Sequence, residues 1–276
     1  MTALHLFILA IVQGITEFLP ISSSGHLVLV PVLTGWPDQG LMMDVSVHVG
    51  TLVAVLIYFR DDTKGLFLAG LGSVGIAPAR RATEGTIYGK LFWAIVIATI
   101  PAAMMGFAVK ITGLADLMRG AAIIATTSII FGLLLYWADK VGATEKTLER
   151  MAVKPALIVG LAQVLALIPG TSRAGITMTA ARYLGFTRQD AARFSLLLSI
   201  PTILGAGVLL GKDVAESGDQ ILWVHAAFAA GLSCLAALAA IHFLMKWLAH
   251  ASMAIFVVYR VALGLFLFAL IAGGAI

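Results

Sequence analysis

The stretch Gln13-Gly-Ile-Thr-Glu17-Phe-Leu-Pro20-Ile-Ser22-Ser23-Ser24-Gly25-His26 cuts through an otherwise apolar segment. Residues 4–19 have helical spacing, yet a helix does not run through Pro20, which lacks a backbone N–H and clashes with the turn before it. The apolar run that follows, 27–34, is too short to cross a hydrocarbon core about 30 Å thick. The pattern recurs: residues 155–168 stop at Pro169, Gly170-Thr171-Ser172-Arg173 follow, and a short apolar arm starts at Ala174. Polar backbone at membrane depth survives only where protein buries it or where it lines a wet cavity. Each stretch is therefore expected to be a re-entrant helical hairpin with a polar loop at its tip.

The rest of the chain agrees with a membrane setting. Of 276 residues 61% are hydrophobic and 12% charged, where a soluble domain carries about 25% charged. Six further segments, at 42–59, 91–109, 120–137, 194–211, 221–245 and 252–274, read as ordinary spans, within a total of eight to ten membrane segments that the length allows. That makes one transmembrane domain over 1–276. The N-terminal run lacks a basic leader and a small-residue cleavage site, so it is expected to remain in the mature protein. Cys234 is the single cysteine and excludes an intrachain disulfide. The net charge of +4 is not a nucleic-acid signal, because the cations sit in loops between spans.

Their distribution sets an orientation. If spans alternate and both hairpins return to their side of entry, Arg60, Lys64, Arg80, Arg81, Lys90, Lys140, Lys146, Arg150, Lys154, Arg182, Arg188, Arg193 and Lys246 share one side, while Lys110, Arg119 and Lys212 share the other. The richer side is expected to be cytoplasmic. The two hairpins then enter from opposite faces, giving two repeats of inverted topology at about 1–140 and 150–276. The fold class read from this is an all-α integral membrane protein, a polytopic helical bundle with two re-entrant helical hairpins in inverted-topology repeats.

Ionisable groups inside the bilayer are costly and usually functional, and here they cluster. The first hairpin offers Gln13 and Glu17, four apart and so on one helical face, then Ser22, Ser23, Ser24 and His26; the second offers Gly170, Ser172, Arg173 and Thr177; segment 42–59 begins with Asp44 and His48. Arginine suits bidentate phosphate contact, polar turns at helix starts attract anions, and a carboxylate beside a phosphate commonly holds a divalent cation. The combination reads as phosphoryl transfer. Blander roles compete: Gln13 as an interhelical hydrogen bonder, Glu17–Arg173 as a structural pair, one or more serines as helix caps, His48 as a supporting polar group. His225, His242 and Arg260 are assigned to interfaces or snorkelling, and Asp61, Asp62 and Glu84 to solvent.

The first stretch resembles the (Glu/Gln)-x-x-x-Glu motif and Ser-Ser-x-Gly-His turn of undecaprenyl pyrophosphate phosphatase, the bacitracin-resistance family. Pro169-Gly-Thr-Ser-Arg173-Ala-Gly-Ile-Thr177 is similar to that family's second signature, and Asp44-Val-Ser-Val-His48-Val-Gly50-Thr51 to a further segment. The resemblance covers nearly the whole chain. It implies removal of the terminal phosphate from a C55 polyprenyl pyrophosphate lipid, a bacterial inner-membrane location, a site opening to the periplasm, a divalent cation (Mg²⁺ or Ca²⁺), a homodimer and no nucleic-acid partner. Carried over by position, it implies Glu17 as metal ligand or base, with Asp44 as a second metal carboxylate, Ser23 as nucleophile or phosphate ligand, and His26 as acid/base. Arg173 would clamp the pyrophosphate, and Ser172 and Thr177 would bind its oxygens, with Gln13, Ser22, Ser24 and Gly170 completing the binding surface.

Two other functions compete with this one. A lipid or solute transporter suits broken helices in inverted repeats. A phosphatidic-acid-type phosphatase is excluded, because its Ser-Arg-x5-His-x3-Asp element is absent and Thr179 stands where its histidine would be.

Overall fold

The structure, a computed structural model, describes residues 3–36, 41–114, 118, 120–215 and 220–276. Among these the regular structure is helical apart from one isolated bridge between Lys146 and Phe186. The helices are α1 (Ala3–Thr16), α2 (Ser23–Thr34), α3 (Leu41–Tyr58), α4 (Arg60–Ser73), α5 (Ala77–Thr83), α6 (Tyr88–Thr112), α7 (Ala121–Val141), α8 (Val153–Val164), α9 (Arg173–Tyr183), α10 (Arg188–Ala215), α11 (Gln220–His250) and α12 (Ala254–Ala272).

Five of them, α6, α7, α10, α11 and α12, contain stretches long and apolar enough to cross a bilayer, and α3 with α4 makes a sixth if the pair, bent by 92°, is counted as one span. Their outer faces carry large apolar side chains such as Phe107, Val208, Leu235 and Leu265, each more than half exposed. In water so much contiguous apolar surface would drive aggregation; facing lipid it is the ordinary solution. The chain is a multi-pass membrane protein.

The core explains how the helices gather. Phe18, Leu19 and Ile21, from the turn after α1, are buried in one cluster with Ala98 of α6, Val159 of α8, Met178 of α9, Leu197 of α10 and Ile241 of α11. α11 lies along α1 and α3, α12 along α7, and α8 along α6. Small residues permit the closest of these approaches: a Cβ on Gly50 would stand 2.1 Å from the Ala230 carbonyl oxygen, and one on Gly160 would stand 2.4 Å from that of Ala98. Close backbone contact through small residues is how helices associate where lipid is the solvent.

Several sequence expectations change. The loop read at 60–90 is largely helical, as α4 and α5; its charges mark the polar faces of short helices rather than irregular chain. Asp62 is buried, not solvated, and bonds Arg193 of α10 through both carboxylate oxygens. Arg182, counted among the loop cations, is fully buried, and its Nε donates to Asp139 Oδ1 at 2.9 Å while Arg188 Nε donates to the same oxygen at 2.8 Å. Two carboxylates thereby tie the ends of α9 and α10 to α7 and α4. Arg119 and the side chain of Lys212 lie outside the described residues.

Candidate active site

Both predicted breaks are real interruptions, and they are built alike. α1 stops at Thr16, with the Glu17 N–H still bonded to the Gln13 carbonyl at 2.9 Å, and α2 starts at Ser23. α8 stops at Val164, a short 3₁₀ turn spans Leu165–Leu167, and α9 starts at Arg173. Before each second helix stands a serine in the left-handed region: Ser22 at φ 75° and Ser172 at φ 69°, the two non-glycine residues with positive φ among those described. Each caps its helix, Ser22 Oγ accepting from the Gly25 N–H at 3.3 Å and Ser172 Oγ from the Gly175 N–H at 3.0 Å. A left-handed L-residue is strained, so each cap is held by its surroundings. The turns abut, since a Cβ on Gly25 would lie 3.7 Å from Gly170 Cα.

Glu17 is where they join. Its Oε1 accepts from Arg173 Nη2 at 3.0 Å, and its Oε2 accepts from Ser23 Oγ at 2.6 Å and from Gln13 Nε2 at 2.9 Å. His48 Nε2 stands 3.8 Å from Oε2, while His48 Nδ1 pairs with the Asp44 carbonyl at 2.6 Å. Residues 156 positions apart therefore share one carboxylate. Arg173 is oriented from behind by α10: its Nη1 donates to the Ser195 carbonyl at 3.2 Å, and Thr177 Oγ1 lies 2.7 Å from Ser195 Oγ.

Glu17, Ser23, His48 and Arg173 line a cavity of about 510 Å³, together with Ser24, Asp44, Ser172, Thr202 and apolar residues including Val45, Val49, Leu167 and Ile203. The size is that of a small-molecule site. The N-termini of α2 and α9 both reach it through Ser23, Ser24 and Arg173, so two sets of helix-start N–H dipoles and a guanidinium converge on one space. Such a space can take an anion, and its apolar wall can take a chain attached to that anion.

The structure sorts the other expected site residues differently. Gln13, Ser22, Gly170 and Thr177 do not line the cavity but stand behind it: Gln13 is buried against Glu17, Ser22 is a cap, Gly170 forms the turn at φ 87°, and Thr177 bonds Ser195. His26, expected as an acid/base, does not line it either. Ser23 bonds Glu17, whereas His26 Nδ1 pairs with the Ser22 carbonyl at 2.7 Å and Nε2 with Tyr259 Oη at 2.5 Å. Sequence reasoning missed Ser195 and Thr202, single hydroxyls inside an apolar span, and Arg260, which is fully buried between the turns.

A hard divalent cation fits the donors in part. Glu17 and Asp44 face the same cavity, and the buried Gln13 Oε1 has no hydrogen-bond partner. Among the described residues no group of three His, Cys, Asp or Glu surrounds one point, so a cation held here would need further oxygens from an accompanying anion.

The family model for bacitracin resistance protein BacA matches residues 6–266. A protein of Roseobacter denitrificans named undecaprenyl-diphosphatase is 49% identical over 267 residues, covering 97% of this chain and 98% of that protein. Proteins of the same name from Ruegeria pomeroyi, at 48% over 267 residues, and Alteromonas mediterranea, at 48% over 266 residues, cover this chain and themselves almost as fully. A match of that extent, through both turns and every helix that builds the cavity, means that the chain belongs to the bacitracin resistance protein BacA family.

Proposed function

We propose that this chain is a membrane phosphatase that hydrolyses undecaprenyl pyrophosphate to undecaprenyl phosphate and inorganic phosphate, recycling the lipid carrier for cell-wall synthesis. Relatives that carry the name undecaprenyl-diphosphatase support this, and one structural observation carries it: Glu17, Ser23 and Arg173 meet beside two helix N-termini in a single cavity. The diphosphate lies against Arg173 and the helix starts, and the polyprenyl chain leaves along the apolar wall toward lipid. Catalysis of phosphoryl transfer is mostly positioning and charge stabilisation, which this arrangement supplies.

Ser23 is the nucleophile in our reading. Its hydroxyl already donates to Glu17, so Glu17 takes the proton as Oγ attacks the terminal phosphorus. The bond from that phosphorus to the bridging oxygen breaks, and undecaprenyl phosphate departs. Glu17 hands the serine proton to the departing lipid phosphate, then takes a proton from the water that attacks the phosphoserine and returns it to Ser23 Oγ as inorganic phosphate leaves. Direct attack by a water held on Glu17 is the competing route, and rapid-quench trapping of a phosphoserine separates the two. Glu17 and Asp44 would hold the Mg²⁺ or Ca²⁺, which supplies charge neutralisation at the phosphates. His26, paired with Tyr259, supports the first turn in this scheme.

The two broken-helix units are proposed to re-enter the membrane, within inverted repeats of one domain. What supports this is the matched pair of strained caps 150 positions apart and the matched packing of α1 on α11 and of α8 on α6. The cavity is lined by the start of α3 and by Thr202–Gly207 of α10, ends remote from the cation-rich side, which supports a site opening to the periplasm of a bacterial inner membrane. Homodimer assembly is proposed on the family resemblance. The test is phosphate release by purified protein with undecaprenyl pyrophosphate. We expect cation-dependent release, whereas a transporter would release none.

A further inference from the structure

Arg260 of α12 is among the largest fully buried side chains, and no carboxylate pairs with it among the described residues. Its guanidinium donates only to backbone carbonyls. Nη2 reaches Thr171 at 2.8 Å, Gly170 at 3.0 Å and Thr127 at 3.4 Å; Nε reaches Ser128 at 3.2 Å; Nη1 reaches Pro20 at 3.4 Å. A buried charge is costly unless hydrogen-bonded throughout, and here the acceptors come from the first turn, the second turn and α7. The planar fork of arginine can span such a set, and the point charge of lysine cannot. The neighbouring backbone is shaped around it: a Cβ on Gly175 would stand 2.7 Å from Arg260 Nη1, and one on Gly132 would stand 3.2 Å from Arg260 Cβ.

We infer that Arg260 is a positioning residue for the phosphatase reaction, fixing the register between the two turns by holding the Pro20 carbonyl on one and the Gly170 and Thr171 carbonyls on the other. Those carbonyls lie one or two residues ahead of the strained caps Ser22 and Ser172, which place Ser23 and Arg173. A slip of the turns separates the two groups that grip the diphosphate, so Arg260 acts on substrate through them without touching the cavity. This rests on the proposed phosphatase reading.

The test uses the whole chain, with Arg260→Lys and Gly132→Ala beside wild type, since the nearest atoms that a Cβ on Gly132 meets all belong to Arg260. The first keeps the charge and loses the fork; the second keeps the arginine and displaces it. Binding of inorganic pyrophosphate is read by calorimetry, per folded molecule, alongside phosphate release from undecaprenyl pyrophosphate and thermal unfolding. We expect pyrophosphate affinity to weaken about tenfold and kcat to fall about tenfold or more in both variants, because misplacing groups by even 1 Å is costly in rate. A merely structural role would lower the folded fraction and leave affinity unchanged, and that result, or wild-type kcat in both folded variants, would overturn the inference. If wild type binds pyrophosphate but releases no phosphate, the phosphatase reading fails while weaker binding in the variants still upholds the positioning role.

Discussion

Glu17 receives donors from Gln13, Ser23 and Arg173 on its two carboxylate oxygens, and the chemistry proposed here depends on that oxygen pair staying ionised and accepting. Glu17→Gln keeps the shape but presents an amide N–H₂ that cannot take a proton from Ser23. We expect phosphate release to fall about 100-fold or more, the usual contribution of a positioned base, with helix content by circular dichroism unchanged; activity within a few-fold of wild type would remove Glu17 from the mechanism. Asp139 makes a different prediction, of stability alone. It pairs with the fully buried Arg182, so Asp139→Ala strands a buried cation and should cost about 3–5 kcal/mol in denaturant unfolding. Glu17, Ser23 and Arg173 were legible in sequence because a charge or a serine run within apolar chain stands out. Ser195 and Arg260 were not, since Ser195 orients Arg173 with its own backbone carbonyl, a group every residue carries, and Arg260 donates to backbone carbonyls up to 240 positions away.

Helices α1 and α8 end at Thr16 and Val164, about a turn short of the stops at 19 and 168 expected from Pro20 and Pro169, since proline bars continuation but does not hold the helix up to itself. Less legible were α4 and α5, whose charged, amphipathic sequences read as a cytoplasmic loop because hydrophobic length was the signal sought. The closeness of α3 to α11 was also hidden, because a glycine in an apolar run does not announce which backbone it lets approach. Gly50→Ala places a methyl against the Ala230 carbonyl. We expect a loss of about 1–3 kcal/mol, as for other overpacked contacts, seen as a lower melting temperature in detergent. Gly231→Ala, with nothing within 4 Å of its added Cβ, is the matched control and should melt at or slightly above the wild-type temperature. Equal melting of the two variants would show that the helices do not pack as described.

Over the whole molecule, the membrane class, the approximate spans and the cation asymmetry follow from composition, because solvent sorting acts on every residue at once. The meeting of two turns does not follow from composition, since it depends on packing between segments 156 positions apart; motif resemblance suggested it and the geometry supplied the contact. The orientation is testable with single cysteines in a Cys234→Ser background. We expect Glu84→Cys and Glu145→Cys to be shielded from a membrane-impermeant maleimide in spheroplasts and Lys110→Cys to be labelled; the reverse pattern would invert the proposed topology. The most direct measurement is of inorganic phosphate released from undecaprenyl pyrophosphate by purified wild type and by Arg173→Met, with folding checked in both. We expect release by wild type and a loss of about 100-fold or more in the variant, as when an electrostatic clamp is removed; near-equal release by the two would contradict a site shared between the turns.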